Sequence, residues 1–275
     1  MINRKIKIWD GISTEKKQDG YEPYLETYIL SGDKKRGAVL ICPGGGYAHT
    51  SEREAEPVAM QFTAKGYHTF ILYYSVAPNR HPQPLLDISR AMCIIRENSD
   101  NWNIDRNKIA VCGFSAGAHL AASLGVHFDK AYLNTEGIVT GENKPNAMIL
   151  AYPVITMKEF GHKGSRENLL GENADTTLIN EMSLETQVSE KTPPAFIWHT
   201  VEDQSVPVEN SLMFASALRK NKIPFELHIY PYGPHGLALA NKETDNGKGT
   251  YPHVSGWINL CIEWLNGIFS ESSRF

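Results

Sequence analysis

Gly113, Ser115 and Gly117 stand in the string GFSAG, between an apolar run (KIAVCG, from Lys108) and a stretch rich in Ala and Leu (AGAHLAASLGVHF, from Ala116). A serine hydroxyl attacks carbonyl carbon only when a neighbouring base removes its proton. A turn from strand to helix tight enough to expose such a serine strains its backbone. It therefore needs residues without bulk two positions to either side. The plain alternative is a helix-capping serine with glycines nearby.

A base and an acid with the right order follow downstream. HTVEDQSVP places Asp203 just beyond the apolar run AFIWH, and YPYGPHGLAL places His235 just beyond FELHIY. Both fall on loops after the C-terminal ends of expected strands, where open parallel sheets build their sites. An aspartate there holds the imidazole in the tautomer that accepts the serine proton. Glu202 and Asp175 are rival acids, and His199, His228 and His253 rival bases. His199 and His228 lie in expected strands and read as structural, and His253 as a cap or surface residue before the last helix.

A third group is PGGGY, Pro43–Tyr47, directly after the run GAVLIC. Glycines here free backbone N–H groups to converge on a developing oxyanion. The amides of Gly45, Gly46 and Ala116 are the expected donors, and Tyr47 is the expected cover for the acyl group. A phosphate-binding loop would require a G-x-x-x-x-G-K-[ST] or G-x-G-x-x-G pattern, which is absent. The polar run SEREAEPVA that follows reads either as a solvated helix face or, through Arg53 or Glu54, as part of a polar pocket. Trp102, Trp257 and Trp264 read as core.

Positioning these residues requires alternating elements. Strands are expected at 25–31, 37–42, 67–74, 108–113, 147–151, 195–199 and 225–230, and helices at 52–65, 84–98, from 116, at 208–221 and 253–269. In the second helix Leu85, Ile88, Met92 and Ile95 repeat on one face. Continuous apolar strands separated by helices imply an α/β fold with a mostly parallel sheet covered on both faces. Residues 154–193 are too polar and too long for an ordinary connection and are expected as a cap-like insertion within a single domain.

Taken together, these residues resemble the α/β-hydrolase family, in its esterase and lipase branch. PGGGY stands where many members carry HGGG, and YYSVAPNRHPQP, from Tyr73, is similar to their YRLAP segment. DQSVP and GPHG are similar to the acid and histidine loops. Pro43 departs from the family's His, and Ser75 from the Arg of YRLAP. The resemblance implies a three-layer α/β-hydrolase fold with Ser115, Asp203 and His235 as catalytic triad, and needs no metal or organic cofactor. PGGGY and the compact size resemble more narrowly the acetyl-esterase and acetylxylan-esterase-like hydrolases, which implies a small ester substrate such as an acetylated sugar. An arylformamidase- or peptidase-like amide hydrolase on the same triad is the enzymatic rival. A non-catalytic ligand-binding protein on the same scaffold is the other.

Composition narrows the classes further. The 275 residues are 41% hydrophobic and 21% charged, enough for a large buried core. Lys and Arg total 27 against 31 Asp and Glu, a net charge of −4 that gives no footing on nucleic acid or an anionic membrane. No apolar run is long enough for a membrane helix and no secretory leader is evident, so the expected location is cytoplasmic. Cys42, Cys93, Cys112 and Cys261 show no zinc spacing and are expected as buried thiols. A homodimer through an edge strand or the insertion is compatible with the sequence but not demanded by it.

Overall fold

The computed structural model describes residues 1–12 and 20–270. Eight strands form one sheet in the order β1-β2-β4-β3-β5-β6-β7-β8. They are β1 (Ile2–Lys7), β2 (Tyr24–Ile29), β3 (Arg36–Cys42), β4 (His68–Tyr73), β5 (Ile104–Phe114), β6 (Ala147–Ala151), β7 (Ala195–Thr200) and β8 (Phe225–Tyr230). The β1–β2 and β2–β4 pairs are antiparallel, and every other pair is parallel. The helices are α1 (Glu56–Ala64), α2 (Gln83–Glu97), α3 (Ala116–His127), α4 (Lys163–Leu170), α5 (Thr176–Glu181), α6 (Glu209–Lys220), α7 (Pro252–Ser255) and α8 (Trp257–Phe269).

Alternation along the buried strands divides the interior into two layers. Leu40, Phe70, Val111, Leu150 and Ile197 face α2, α3 and α6, where they meet Ile88, Leu120 and Phe214. Their neighbours Val39, Ile41, Cys112, Ile149 and Trp198 face α1 and α8, where Phe62, Trp257 and Leu265 complete the second layer. This is the three-layer arrangement implied by the resemblance, and each expected strand occurs.

The structure adds elements that the sequence reading lacked. β1 pairs along the edge of β2, and β5 begins four residues earlier than expected, with a register irregularity between Arg36 and Ala38. The segment 154–193 contains α4 and α5. Each begins on a side-chain cap: His162 accepts from the Ser165 amide and Asp175 from the Leu178 amide. All four cysteines are free and buried. Among the described residues no helix is long and apolar enough to cross a membrane, and no group of side chains is arranged to hold a metal ion.

Candidate active site

Ser115 sits where β5 turns into α3, with φ 53° and ψ −117°, a region that costs a non-glycine residue of order 1–3 kcal/mol. The turn allows no side chain on either flank. A Cβ on Gly113 would lie 2.3 Å from the Gly117 carbonyl oxygen, and one on Gly117 would lie 2.1 Å from the Cys42 carbonyl oxygen. Strand, helix and the PGGGY loop are thus packed backbone to backbone. The strain is held by the Ser115 amide donating to the Ala151 carbonyl (3.0 Å) and by the Val154, Ala118 and His119 amides donating to the Ser115 carbonyl.

The three residues named from the sequence come together. His235 Nε2 lies 2.7 Å from Ser115 Oγ, and His235 Nδ1 lies 2.6 Å from Asp203 Oδ2. With Nδ1–H donating to the carboxylate, Nε2 presents its lone pair to the serine hydroxyl. Asp203 is buried, which alone would raise its pKa. Hydrogen bonds from His199 and His235, the nearby His235 charge and the Val206 amide outweigh that burial, so the carboxyl is held well below the usual carboxylate range. Its other oxygen accepts from the Ser205 and Val206 amides at 3.0 and 2.9 Å.

The rival acids and bases are engaged elsewhere. Glu202 accepts from the Gly233 amide, Asp175 caps α5, and His228 pairs with Glu226. His253 packs edge-on against Tyr230. His199 is buried as expected, yet it is not remote: its Nε2 lies 2.9 Å from the Val206 carbonyl and 3.3 Å from Asp203 Oδ2. It braces the acid from behind, a role that its position within a strand did not reveal.

The glycine loop is fixed through its carbonyls. Pro43 O accepts from the Tyr74 hydroxyl, Gly44 O from the Ser51 amide and Gly45 O from the Ala48 amide. Gly46 O accepts from Asn168 Nδ2, and Tyr47 O from the Ala77 amide. Gly44 N–H donates to Glu54 Oε2 at 2.8 Å. The Gly45 and Gly46 amides have no acceptor among the described residues. The Ala116 amide, at the first turn of α3, has none within its helix. Left-handed backbone at Gly45 (φ 129°) and Gly46 (φ 64°) turns the loop, and a Cβ on Gly45 would overlap the His49 carbonyl at 2.2 Å.

Tyr47 requires a correction. It was expected to cover the acyl group, but its φ of 58° swings the side chain into the interior, where it is only 1% exposed. Its hydroxyl lies 2.8 Å from His119 Nδ1, and its ring packs edge-on against Tyr74. Tyr47 anchors the loop instead.

Glu54 and Arg53 fit neither reading of the polar run. Glu54 is buried: its Oε2 holds Gly44, its Oε1 accepts from the Tyr152 hydroxyl, and that hydroxyl accepts from the Ala238 amide. Arg53 donates to the carbonyls of Gly236 and Thr244. One polar turn thus ties the glycine loop to the loop that carries His235. The signal available in the sequence was the density of charge immediately after PGGGY, not its purpose. Trp257 and Trp264 are core as expected; Trp102 is partly buried against it.

Comparison with known proteins extends this picture. The BD-FAE family matches residues 25–218, a span that includes Ser115 and Asp203. An endo-1,4-beta-xylanase B from Butyrivibrio fibrisolvens is 44% identical over 232 residues, which is 83% of this chain and 36% of that protein. An acetylxylan esterase from Xylanibacter ruminicola is 34% identical over 208 residues, 74% of this chain and 41% of the relative. The chain therefore spans less than half the length of these two relatives. The crystal structure of an acetyl ester-xyloside bifunctional hydrolase from Caldicellulosiruptor lactoaceticus superposes with a TM-score of 0.86 at 42% identity, covering 96% of both chains. With the family match running through the strands and turns that deliver the serine and the aspartate, the chain belongs to the BD-FAE family.

Proposed function

We propose that the protein is a serine carboxylesterase that hydrolyses short-chain esters, acetate on a sugar or sugar oligomer in particular. The observation that carries the reading is the bridge made by His235, 2.7 Å from Ser115 Oγ and 2.6 Å from Asp203 Oδ2. The preference for acetyl esters draws support from what two relatives are called: an acetylxylan esterase and an acetyl ester-xyloside hydrolase.

In this reading His235 Nε2 removes the Ser115 proton as Oγ bonds to the ester carbonyl carbon. The negative charge that forms on the carbonyl oxygen is received by the Gly45, Gly46 and Ala116 amides. Collapse of the tetrahedral intermediate expels the alcohol, protonated by His235. Water, deprotonated by the same imidazole, then cleaves the acyl-enzyme and returns Ser115. Asp203 stays ionised throughout, which agrees with the strong depression of its pKa, and stabilises the imidazolium. The 154–193 segment acts as a cap on the same domain, since Asn168 of α4 reaches the Gly46 carbonyl.

The test is Ser115→Ala assayed on p-nitrophenyl acetate. Turnover is expected to fall by about 10⁴-fold or more, with thermal unfolding little changed. Retained turnover in that variant sinks the reading. Acetyl esters hydrolysed more slowly than formyl amides or peptides would favour the amide rival. A Ser115 inert to a fluorophosphonate probe would favour the non-catalytic one.

A further inference from the structure

Helix α4 brings a second histidine to the glycine loop. His162 precedes the helix, and a Cβ placed on Gly46 would have His162 Cε1 as its nearest neighbour at 3.8 Å and Ser165 Oγ at 4.0 Å. The ring is half-buried, and the charges of His235 and Asp203 both reach it. His162 thus flanks Gly46 of the glycine loop on the side of the molecule where His235 and Asp203 act on it.

Its tautomer is set by its own helix. The Ser165 backbone N–H donates to His162 Nδ1 at 3.1 Å, and the Ser165 hydroxyl lies 2.8 Å from the same nitrogen. A backbone amide can only donate, so Nδ1 is an acceptor and the proton of the neutral ring resides on Nε2. Burial and the neighbouring His235 both push the pKa of His162 down, which keeps the ring neutral near pH 7. No described residue accepts from Nε2. The result is an oriented, unengaged N–H donor beside the oxyanion amides.

The acceptor it suits follows by elimination. The ester carbonyl oxygen belongs to the Gly45, Gly46 and Ala116 amides, the departing oxygen receives its proton from His235, and an acetyl methyl accepts nothing. Only the alcohol half can supply a further oxygen. We propose that His162 is a specificity-determining residue whose Nε2–H donates a hydrogen bond to a hydroxyl or ring oxygen on the alcohol half of an acetylated sugar. This rests on the esterase reading and names the group that selects sugar esters over simple ones.

The test is His162→Asn, compared with wild type on two substrates: an acetylated xylo-oligosaccharide, and p-nitrophenyl acetate, which has no hydroxyl near the ester. Asparagine keeps an oxygen to cap α4 but is too short to present the distal donor. The ratio of the two kcat/KM values, measured on one preparation, does not depend on the folded fraction. That ratio is expected to fall about tenfold, the loss appropriate to one neutral hydrogen bond. An unchanged ratio overturns the role of His162 while leaving the esterase reading intact. Wild-type protein that hydrolyses neither ester overturns both.

Discussion

Two segments meet at the glycine loop and hold their residues in different ways. The turn from β5 into α3 is shaped by backbone against backbone, with Gly113 and Gly117 leaving no room for a single methyl group. Helix α4 reaches the same loop through side chains: Asn168 donates to the Gly46 carbonyl, and His162, held by the Ser165 backbone N–H, flanks Gly46. Ser115 is thus set by contacts that admit almost no substitution, while the flank of the site rests on contacts that other polar residues could reproduce. Chemistry common to a family suits the first kind of support, and choice among substrates suits the second.

The largest effect that can break this contrast comes from adding one methyl group to each segment. In Gly117→Ala the new Cβ meets the Cys42 and Pro43 carbonyl oxygens at 2.1 and 2.4 Å, neither of which can yield. A loss of about 3 kcal/mol or more in urea unfolding, together with loss of ester turnover, is expected. In Gly164→Ala of α4 the atoms nearest the new Cβ are those of the His162 ring, at 3.3 Å and beyond, and stability should stay within about 1 kcal/mol of wild type. Equal losses in the two variants would erase the distinction.

A second measurement sharpens it through pH. The 154–193 segment is moored to α3 by neutral imidazoles: His119 Nε2 lies 2.9 Å from the Met182 carbonyl, and His127 Nε2 lies 3.1 Å from the Glu181 carbonyl. Burial, the leading cause in both, lowers each pKa from 6.5 to about 4. His119 is lowered further by His127 and His81, and His127 by Lys130 and His81, while the Met182 carbonyl opposes at His119 and the Glu181 carbonyl and charge oppose at His127. The unfolded chain therefore binds protons that the folded chain refuses. Stability is full above pH 6.5 and is lost as pH falls toward 4, by about 2 kcal/mol per histidine at pH 5. The slope of unfolding free energy against pH between 7 and 5 should be shallower in His127→Gln. A wild-type slope no steeper than that of the variant would refute the mooring by neutral rings.

The smallest expected effect is that of Asn168→Ala. It removes the donor to the Gly46 carbonyl and should reduce kcat on p-nitrophenyl acetate a few-fold, at a stability cost of about 1 kcal/mol. A fall as deep as that of Ser115→Ala would mean that the loop depends on α4 as heavily as on the Ser115 turn.

The same contrast governs what could be read from the residues alone. Apolar runs and glycine spacings encode backbone geometry directly, so the strands of the central sheet, the Ser115 turn and the loops bearing Asp203 and His235 were legible. β1 was not: INRKIK is a mostly exposed edge strand with three basic residues, and no buried face imposes a period on it. In the 154–193 segment the cap signals His162 and Asp175 are short and local, and polar surroundings hide them. Tyr47 was misplaced because its positive φ reverses the direction of the side chain, which no alternation of residue types records. Glu54 and His199 support the site through partners distant in sequence. Glu54 and Tyr152 are 98 positions apart, and only the folded chain brings them together.

The last helix has a bearing on how the site comes into being. Trp257 of α8 donates its indole N–H to the Ala238 carbonyl at 2.9 Å and stacks on Trp198, so the loop carrying His235 leans on α8. During synthesis Ser115 and the glycine loop emerge more than a hundred residues ahead of that support. The support for the His235 loop therefore arrives with the segment that completes the second core layer, after the Ser115 turn has been made.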